Sequence, residues 1–354
     1  AQGPLRAGCV RYITTGALVP EGADAVVKVE DTREVEGAGR TAEVDVAVPV
    51  RPGANIRQVG SDTRQGEVVL RSGTCVGAGE IGVLAALGLA QVRVHRRPRV
   101  ALLSTGDELA DVESDGSRAN SSGQVWDCNR PMLSALVAEV GAEALDFGIV
   151  KDEPGPLRER FAAALAAADV VVTSGGVSKG SRDLVKPLLE ELGQVHFGEM
   201  CMKPGKPTTF ATVPSEPERH GPAESAAPRR RLVFALPGNP ASCFVTFKLL
   251  VVPALEQLGG HRPDLPVYPR VDAELLQPVA MDPERPEYHR AVARWHGGRL
   301  VAESTGFQRS SRVASVAGAN CLLEVPRGTG SLAAGAPVGA LLLQRGAGGL
   351  AAGA

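Results

Sequence analysis

The sequence predicts a multidomain α/β plus β protein, in which a central α/β domain with a mostly parallel sheet is flanked by β-rich domains. Three observations carry this. Between residues 98 and 262, short runs of branched apolar residues alternate with helical patterns, the order that builds βαβ units. On either side, at 1–68 and 263–345, only short alternating segments occur, separated by Gly and Pro. The chain has 354 residues, more than one hydrophobic core ordinarily serves, which implies roughly two or three domains.

Within 1–68, segments 25–29 and 42–48 read as strands. Thr14-Thr15-Gly16, Gly22-Ala23-Asp24 and the stretch from Arg57 to Asp62 lie around them. Asp62 follows a glycine with no apolar periodicity around it and reads as a turn carboxylate. Residues 69–97 form a linking segment with a helical pattern at 79–89 and a strand at 91–95. Arg96-Arg97-Pro98-Arg99 then reads as a solvated hinge.

The central domain opens with a strand at 100–103 that runs into Ser104-Thr105-Gly106-Asp107-Glu108. Asn129 suits a helix N-cap and Pro131 the first turn. Met132, Leu133, Leu136, Val137 and Val140 give that helix one apolar face, and Gly141 stops it. A strand at 144–150 ends at Lys151-Asp152, and a helix carrying Leu157, Phe161 and Leu165 follows. The run 170–172 reads as a buried strand, broken at Thr173-Ser174-Gly175-Gly176, where two glycines let backbone N–H groups approach a ligand. After a helix with Leu184, Leu188, Leu189 and Leu192 on one face comes a short strand. Then follows Met202-Lys203-Pro204-Gly205-Lys206-Pro207, two lysines in a loop stiffened by prolines. A last strand, 232–236, leads through Pro237-Gly238-Asn239-Pro240 into a helix that is apolar nearly all round, and therefore largely buried. Segment 213–231 reads as a disordered insertion, with Arg229 to Arg231 solvated, and 346–354 as a disordered tail. Residues 263–345 read as a small sandwich or barrel. There Arg290, Ser310, Ser311, Arg312 and Ser315 read as surface groups near a strand in preference to the wall of a cleft.

In a parallel sheet, strands that each end in a polar or glycine-rich turn share one edge, where ligands bind. Glu108, Asp152 and Asp183 therefore approach one another beside the Gly175-Gly176 turn, an arrangement suited to Mg²⁺ held partly by protein and partly by a substrate phosphate. Lys203 and Lys206 suit a tetrahedral oxyanion, each offering a point charge with rotatable donors. The turn is neither a Walker loop nor a GxGxxG fingerprint. No Ser/His/Asp or Cys/His arrangement emerges, as the six histidines lie apart from the glycine turns. The formal net charge of −2 supplies no basic footprint for nucleic acid. No apolar run approaches a membrane span, and the six cysteines form no CxxC pair, which fits reduced thiols in a cytoplasmic protein. The chain begins without Met, as a fragment lacking an upstream part does.

Several stretches together resemble one known family. TTGALVPEGADAVVKVEDT (14–32), RPGANIRQVGSDTRQGE (51–67), STGDEL (104–109), TSGGVS (173–178), MKPGKPTTFA (202–211), LPGNPAS (236–242), RPEYHR (285–290) and STGFQRSSR (304–312) are similar to the molybdenum insertases. These comprise bacterial MoeA, the E domain of gephyrin and the plant homologue, and MKPGKPTTFA and PEYHR resemble the eukaryotic branch. The resemblance implies a central molybdopterin-binding α/β domain and Mg²⁺-dependent insertion of molybdate into adenylylated molybdopterin with release of AMP. It also implies a homodimer whose sites are shared between subunits, and a fused or associated molybdopterin adenylyltransferase domain as a partner. By the same resemblance, Lys203, Lys206, Pro207, Ser242, Arg290 and Ser315 fall where the family binds molybdate. Asp62, Glu108, Asp152 and Asp183 fall on its functional acidic positions. Thr105, Ser174, Gly175, Gly176, Ser178, Pro237, Gly238 and Asn239 fall on its nucleotide and pterin-phosphate turns. Three departures stand out: the upstream Asp-Gly-Tyr motif is absent, Ser181 replaces an acidic residue and Glu199 a basic one. Rival readings are a peptide-binding scaffold of the gephyrin kind, and the adenylyltransferase one step earlier, whose fold lacks the flanking β-rich regions and the MKPGKP loop.

Overall fold

An apolar run with no polar alternation has no solvent face to offer, and in the structure, a computed structural model, residues 170–174 are buried throughout. The structure describes residues 3–35, 43–112, 123–177, 184–214, 230–261 and 265–343. The chain divides into two compact units, Ala1–Ser72 and Gly73–Ala354.

In the first unit, β1 (Thr32–Val35) and β2 (Glu43–Val46) pair antiparallel, Thr32 opposite Val46. A 3-10 turn, Val29–Asp31, leads into β1. The strands expected at 25–29 and 42–48 are thus shifted and shortened. Residues 25–28 stay irregular, with Val26 tied through its N–H to Ala54 O at 3.0 Å and through its carbonyl to Asn55 Nδ2 at 2.8 Å. No described residue of this unit is buried, so alternation there has no core face to serve.

The second unit begins with α1 (Ala78–Ala86), none of it buried. The strand expected at 91–95 does not form. Val92 and Val94 are 44% and 69% exposed, and no described segment pairs with them. Next come β3 (Arg99–Thr105), the two-residue strands β4 (Leu109–Ala110) and β5 (Val125–Trp126), and α2 (Asn129–Glu139). These are followed by β6 (Glu143–Val150), α3 (Pro154–Ala167), β7 (Val170–Ser174), α4 (Val185–Leu192), β8 (Gln194–Phe197), β9 (Thr209–Pro214) and β10 (Arg230–Leu236). One six-stranded sheet results, in the order β6-β3-β7-β10-β9-β8. The first four strands are parallel, as expected, whereas β9 pairs antiparallel with both β10 and β8. Alternate residues feed opposite faces: Leu102, Val172 and Phe234 pack with Leu133 and Leu136 of α2, while Leu103, Val171 and Val233 pack with Leu157 and Phe161 of α3.

Of the two basic stretches, Arg96, Arg97, Arg99 and Arg230 are exposed as expected, whereas Arg231 is largely covered. Arg96 clamps Asp169 through both guanidinium nitrogens at 2.6 and 2.5 Å, and Arg231, inside β10, reaches the same carboxylate at 3.1 Å. Of the expected insertion, residues 213–214 belong to β9 and 230–231 to β10, while 215–229 and the tail 346–354 lie outside the described residues.

After β10 come α5 (Pro240–Thr246), a π-helical turn (Phe247–Val251) and α6 (Val252–Leu258). Contrary to the sequence reading, this 19-residue span is long and apolar enough to cross a membrane, but 61% of it is buried inside the protein. It serves as a core helix: Cys243, Val245, Phe247 and Val251 are fully buried. The remaining strands are β11 (Arg270–Leu275), β12 (Val279–Ala280), β13 (Glu287–His296), β14 (Arg299–Ser304), β15 (Cys321–Val325), β16 (Ser331–Leu332) and β17 (Pro337–Leu342). Five of them close into a barrel, β11-β14-β13-β15-β17, resolving the sandwich-or-barrel alternative. All six cysteines are free thiols.

Candidate functional site

The parallel strands deliver their ends to one edge, and there the glycine turns touch. Gly175 and Gly176 have φ of +94° and +69°, and a Cβ on either would lie 2.6 Å from its nearest neighbour: Thr105 O for Gly175, a Val185 methyl for Gly176. Gly175 N–H donates to Leu236 O at 3.0 Å, joining the ends of β7 and β10. Thr105 is only 4% exposed, and its hydroxyl has no hydrogen-bond partner among the described residues. A buried hydroxyl left without a partner is the kind of group a ligand satisfies.

Asn129 is not the N-cap expected of it. Asp127 Oδ1 caps α2 instead, accepting from the N–H of Asn129 at 3.0 Å and of Arg130 at 3.2 Å. The Asn129 amide is thereby free to cross the sheet edge, donating to Ser174 Oγ at 2.6 Å and Gly238 O at 2.7 Å. Sequence reasoning missed both roles. The acid–x–Asn spacing ahead of a helix was the available signal, and it reads equally as an ordinary cap. Pro237 is buried while Gly238 and Asn239 are exposed at the start of α5. Ser242, one turn into α5, is 3% exposed.

The barrel meets this edge through α5. Ala241 N–H donates to Ser310 O at 3.0 Å, and the 3-10 turn Val313–Ser315 begins three residues later. Ser315 is fully buried, and its hydroxyl accepts from Arg290 Nε and Nη2 at 3.2 and 3.1 Å and donates to Arg312 O at 2.6 Å. Arg290, on β13, is also fully buried, and its Nη1 has no hydrogen-bond partner among the described residues. Burial pulls its pKa down to about 10, outweighing the opposing field of Glu287. A buried guanidinium with a free N–H edge is a site for an anion.

The lysine loop is stitched to the start of the same strand. Lys203 N–H donates to Pro286 O at 2.9 Å, Tyr288 N–H donates to Lys203 O at 2.7 Å, and the Lys203–Pro204 peptide is cis. Gly205, at φ +112°, packs against Thr246 of α5. Lys206 is exposed on this loop and Pro207 half-buried. Lys203 Nζ lies 2.9 Å from Glu287 and 3.5 Å from Asp282. Burial would raise the Glu287 pKa, but His289 and Lys203 together hold it below the usual carboxylate range. Backbone contacts thus tie the lysine loop to the start of β13 and the 310–315 segment to α5, and side-chain contacts join Arg290 to Ser315, while Lys203 Nζ turns to Glu287 and Asp282. Ser304, His289 and Glu287 form a hydrogen-bonded line on β13 and β14, away from the pattern at the glycine turns that the sequence reading addressed.

The acidic positions are spread differently. Glu108 is exposed, its carboxylate folded back over Gly106, whose φ of +148° leaves room for it. Asp152 is half-buried on the neighbouring strand end, and its N–H donates to Asp107 Oδ1 at 3.2 Å. Asp183, Ser178 and Ser181 lie outside the described residues. Among the described residues no group of three or more His, Cys, Asp or Glu could hold a metal. Carboxylates such as those of Glu108 and Asp152 are hard oxygen donors of the kind Mg²⁺ takes together with water and phosphate. Asp62 belongs to the Ala1–Ser72 unit, where it pairs with Arg57 at 2.8 Å, both side chains largely exposed.

Three family models match the chain: the MoeA N-terminal region (domain I and II) over residues 1–88, a probable molybdopterin binding domain over 101–257, and the MoeA C-terminal region (domain IV) over 272–343. The chain is 41% identical over 351 residues to a protein of Dictyostelium discoideum named Gephyrin, covering 95% of this chain and 48% of that one, about half the relative's length. It is 34% identical to a molybdopterin molybdenumtransferase of Haemophilus influenzae, covering 92% of this chain and 75% of that one. The fold matches the crystal structure of a molybdopterin biosynthesis MoeA protein from Pyrococcus horikosii with a TM-score of 0.74 at 30% identity, over 97% of this chain and 78% of that one.

Proposed function

Since the chain belongs to the MoeA family of molybdopterin molybdenumtransferases, acting in molybdenum cofactor biosynthesis, we propose that it inserts molybdate into adenylylated molybdopterin with release of AMP. The observation that carries the reading is Arg290: fully buried, hydrogen-bonded to Ser315 and with Nη1 lacking a hydrogen-bond partner among the described residues. Such a group is costly to bury unless an anion completes it.

In this reading Arg290, Lys203 and Lys206 supply positive charge to the oxyanion substrate, Ser242 and Ser315 add hydroxyls, and Pro207 stiffens the loop. The Ser174–Gly176 turn with Ser178, Thr105, Pro237, Gly238 and Asn239 cradles the nucleotide and pterin phosphates, the glycines allowing close backbone approach. Glu108 and Asp152, with Asp183, would hold Mg²⁺, which when bound offsets charge on the phosphates. The two thiols of the dithiolene bind molybdenum in place of molybdate oxide, which leaves as water with the thiol protons, and a water molecule attacks the phosphoanhydride, whose P–O–P bridge breaks to give AMP and the pterin phosphate. Asp62 would act from a second subunit of a homodimer, in a cytoplasmic setting, with an adenylyltransferase domain, fused or associated, supplying the substrate.

Arg290→Lys keeps the charge but loses the planar fork, and Lys206→Ala removes an exposed charge that the core does not need. Both variants are expected to fold, to bind molybdate about tenfold more weakly and to lose AMP release in proportion. Molybdenum stoichiometry unchanged in both variants after soaking and desalting would remove the oxyanion site from this reading.

A further inference from the structure

The face of β13 opposite Arg290 carries buried polar groups that the insertion reading leaves idle. Glu287 and His289, 3% and 7% exposed, alternate with Tyr288 and Arg290 and so share the barrel-facing side with Ala291 and Ala293. Charged groups in such surroundings destabilise a fold unless they are paired, and these are paired in a line. Lys203 Nζ donates to Glu287 Oε2 at 2.9 Å, His289 Nδ1 lies 3.1 Å from Oε1, and His289 Nε2 lies 2.7 Å from Ser304 Oγ. Asp282 Oδ2 stands 3.5 Å from the same ammonium, and the other oxygen of that carboxylate, Oδ1, accepts from the N–H groups of Glu284 and Arg285 at 2.9 and 3.0 Å. Arg285 reaches Met202 O at 3.4 Å, closing the base of the loop. Lysine is ordinarily a flexible stem with three rotatable donors. Here two carboxylates, one anchored from behind by an imidazole, hold its head while the side chain keeps 34% of its surface open.

We infer that Glu287 and His289 are positioning residues for Lys203, holding its ammonium in one place so that an oxyanion meets a pre-set donor. The function of this clamp rests on the reading of Lys203 as a molybdate-binding group. His289 acts through Glu287: by engaging Oε1 it leaves Oε2 directed at the loop, and Ser304 fixes the ring from the other side.

Two measurements on the full chain separate the clamp from the reading it rests on. The first is the rate of acetylation of Lys203 Nζ by dilute acetic anhydride, followed by peptide mass spectrometry, with Lys206 of the same loop as internal reference. Glu287→Gln should raise the Lys203 rate about tenfold relative to Lys206, because a neutral partner holds an ammonium far less firmly. The second is the molybdate Kd by equilibrium dialysis in the parent, Glu287→Gln, Lys203→Met and the double variant. A residue that acts through Lys203 raises Kd about tenfold when Lys203 is present and less than about twofold when it is Met, whereas a purely structural residue weakens binding equally in both backgrounds. An unchanged Lys203 rate in Glu287→Gln, or equal losses across the cycle, overturns the clamp. A parent chain that protects Lys203 yet binds no molybdate overturns the oxyanion reading, and with it the clamp's purpose. Where Glu287→Gln fails to fold, His289→Gln replaces it, with a rise of about threefold expected in both readouts and no change overturning the proposal.

Discussion

Gly176 shows how little freedom the sheet edge has. With φ at +69° and a Val185 methyl and the Thr105 hydroxyl 2.6 and 2.8 Å from where a Cβ would stand, any side chain there is strained twice, by backbone and by contact. Gly176→Ala is therefore expected to lower stability by about 1–3 kcal/mol in urea unfolding. It should also shift α4 away from the turn, read as faster amide exchange at Val185. Gly238→Ala makes the control: φ there is unexceptional and its Cβ would meet Gly175 Cα at 3.6 Å, ordinary contact, so its stability should stay within about 0.5 kcal/mol of the parent.

At the opposite, amino-terminal end of the parallel strands, a single carboxylate ties elements together. Asp169 precedes β7, accepts from the Arg99 N–H at the start of β3 at 2.9 Å, and pairs with Arg96 and with Arg231 of β10. Burial pushes its pKa up, but the hydrogen bonds and charges of these partners outweigh burial and leave it below the usual aspartate value. The folded pKa thus lies below the unfolded one, so this stabilisation is full above the unfolded pKa near 4 and is lost as pH falls through the folded value. Asp169→Asn should cost about 1–3 kcal/mol at pH 7. The gap between variant and parent should narrow steadily in thermal melts taken below about pH 4, and a gap independent of pH would contradict the assignment.

Over the whole molecule, burial is concentrated in Gly73–Ala354. The sheet and barrel carry the extended apolar clusters, whereas no described residue of Ala1–Ser72 is buried. Stability of a two-unit chain should follow that division. A chain of residues 73–354 is expected to unfold cooperatively, with a melting temperature within a few degrees of the parent's by calorimetry. Amides of 1–72 in the isolated single chain should exchange orders of magnitude faster than those of β3 and β7. Loss of the cooperative transition on removing 1–72 would show that this unit supports the sheet.

Much of the framework was legible in residue order alone. The four parallel strands, their crossover helices and the glycine turns follow from apolar runs that have no polar alternation and end in small residues, a pattern only a twice-covered sheet satisfies. The motif stretches that resemble the molybdenum insertases also lie in plain order along the chain. The antiparallel β8 and β9, the barrel closure, and the meeting of Lys203 with Glu287 and of Arg290 with Ser315 were not legible, because partners 84 and 25 residues apart leave no local periodicity. The segment at 91–95 failed for the related reason that a strand exists only where another offers its hydrogen bonds. Local pattern dictates which segments can be strands or helices; which charges end up buried together depends on packing, since desolvation acts only once distant segments close around a group.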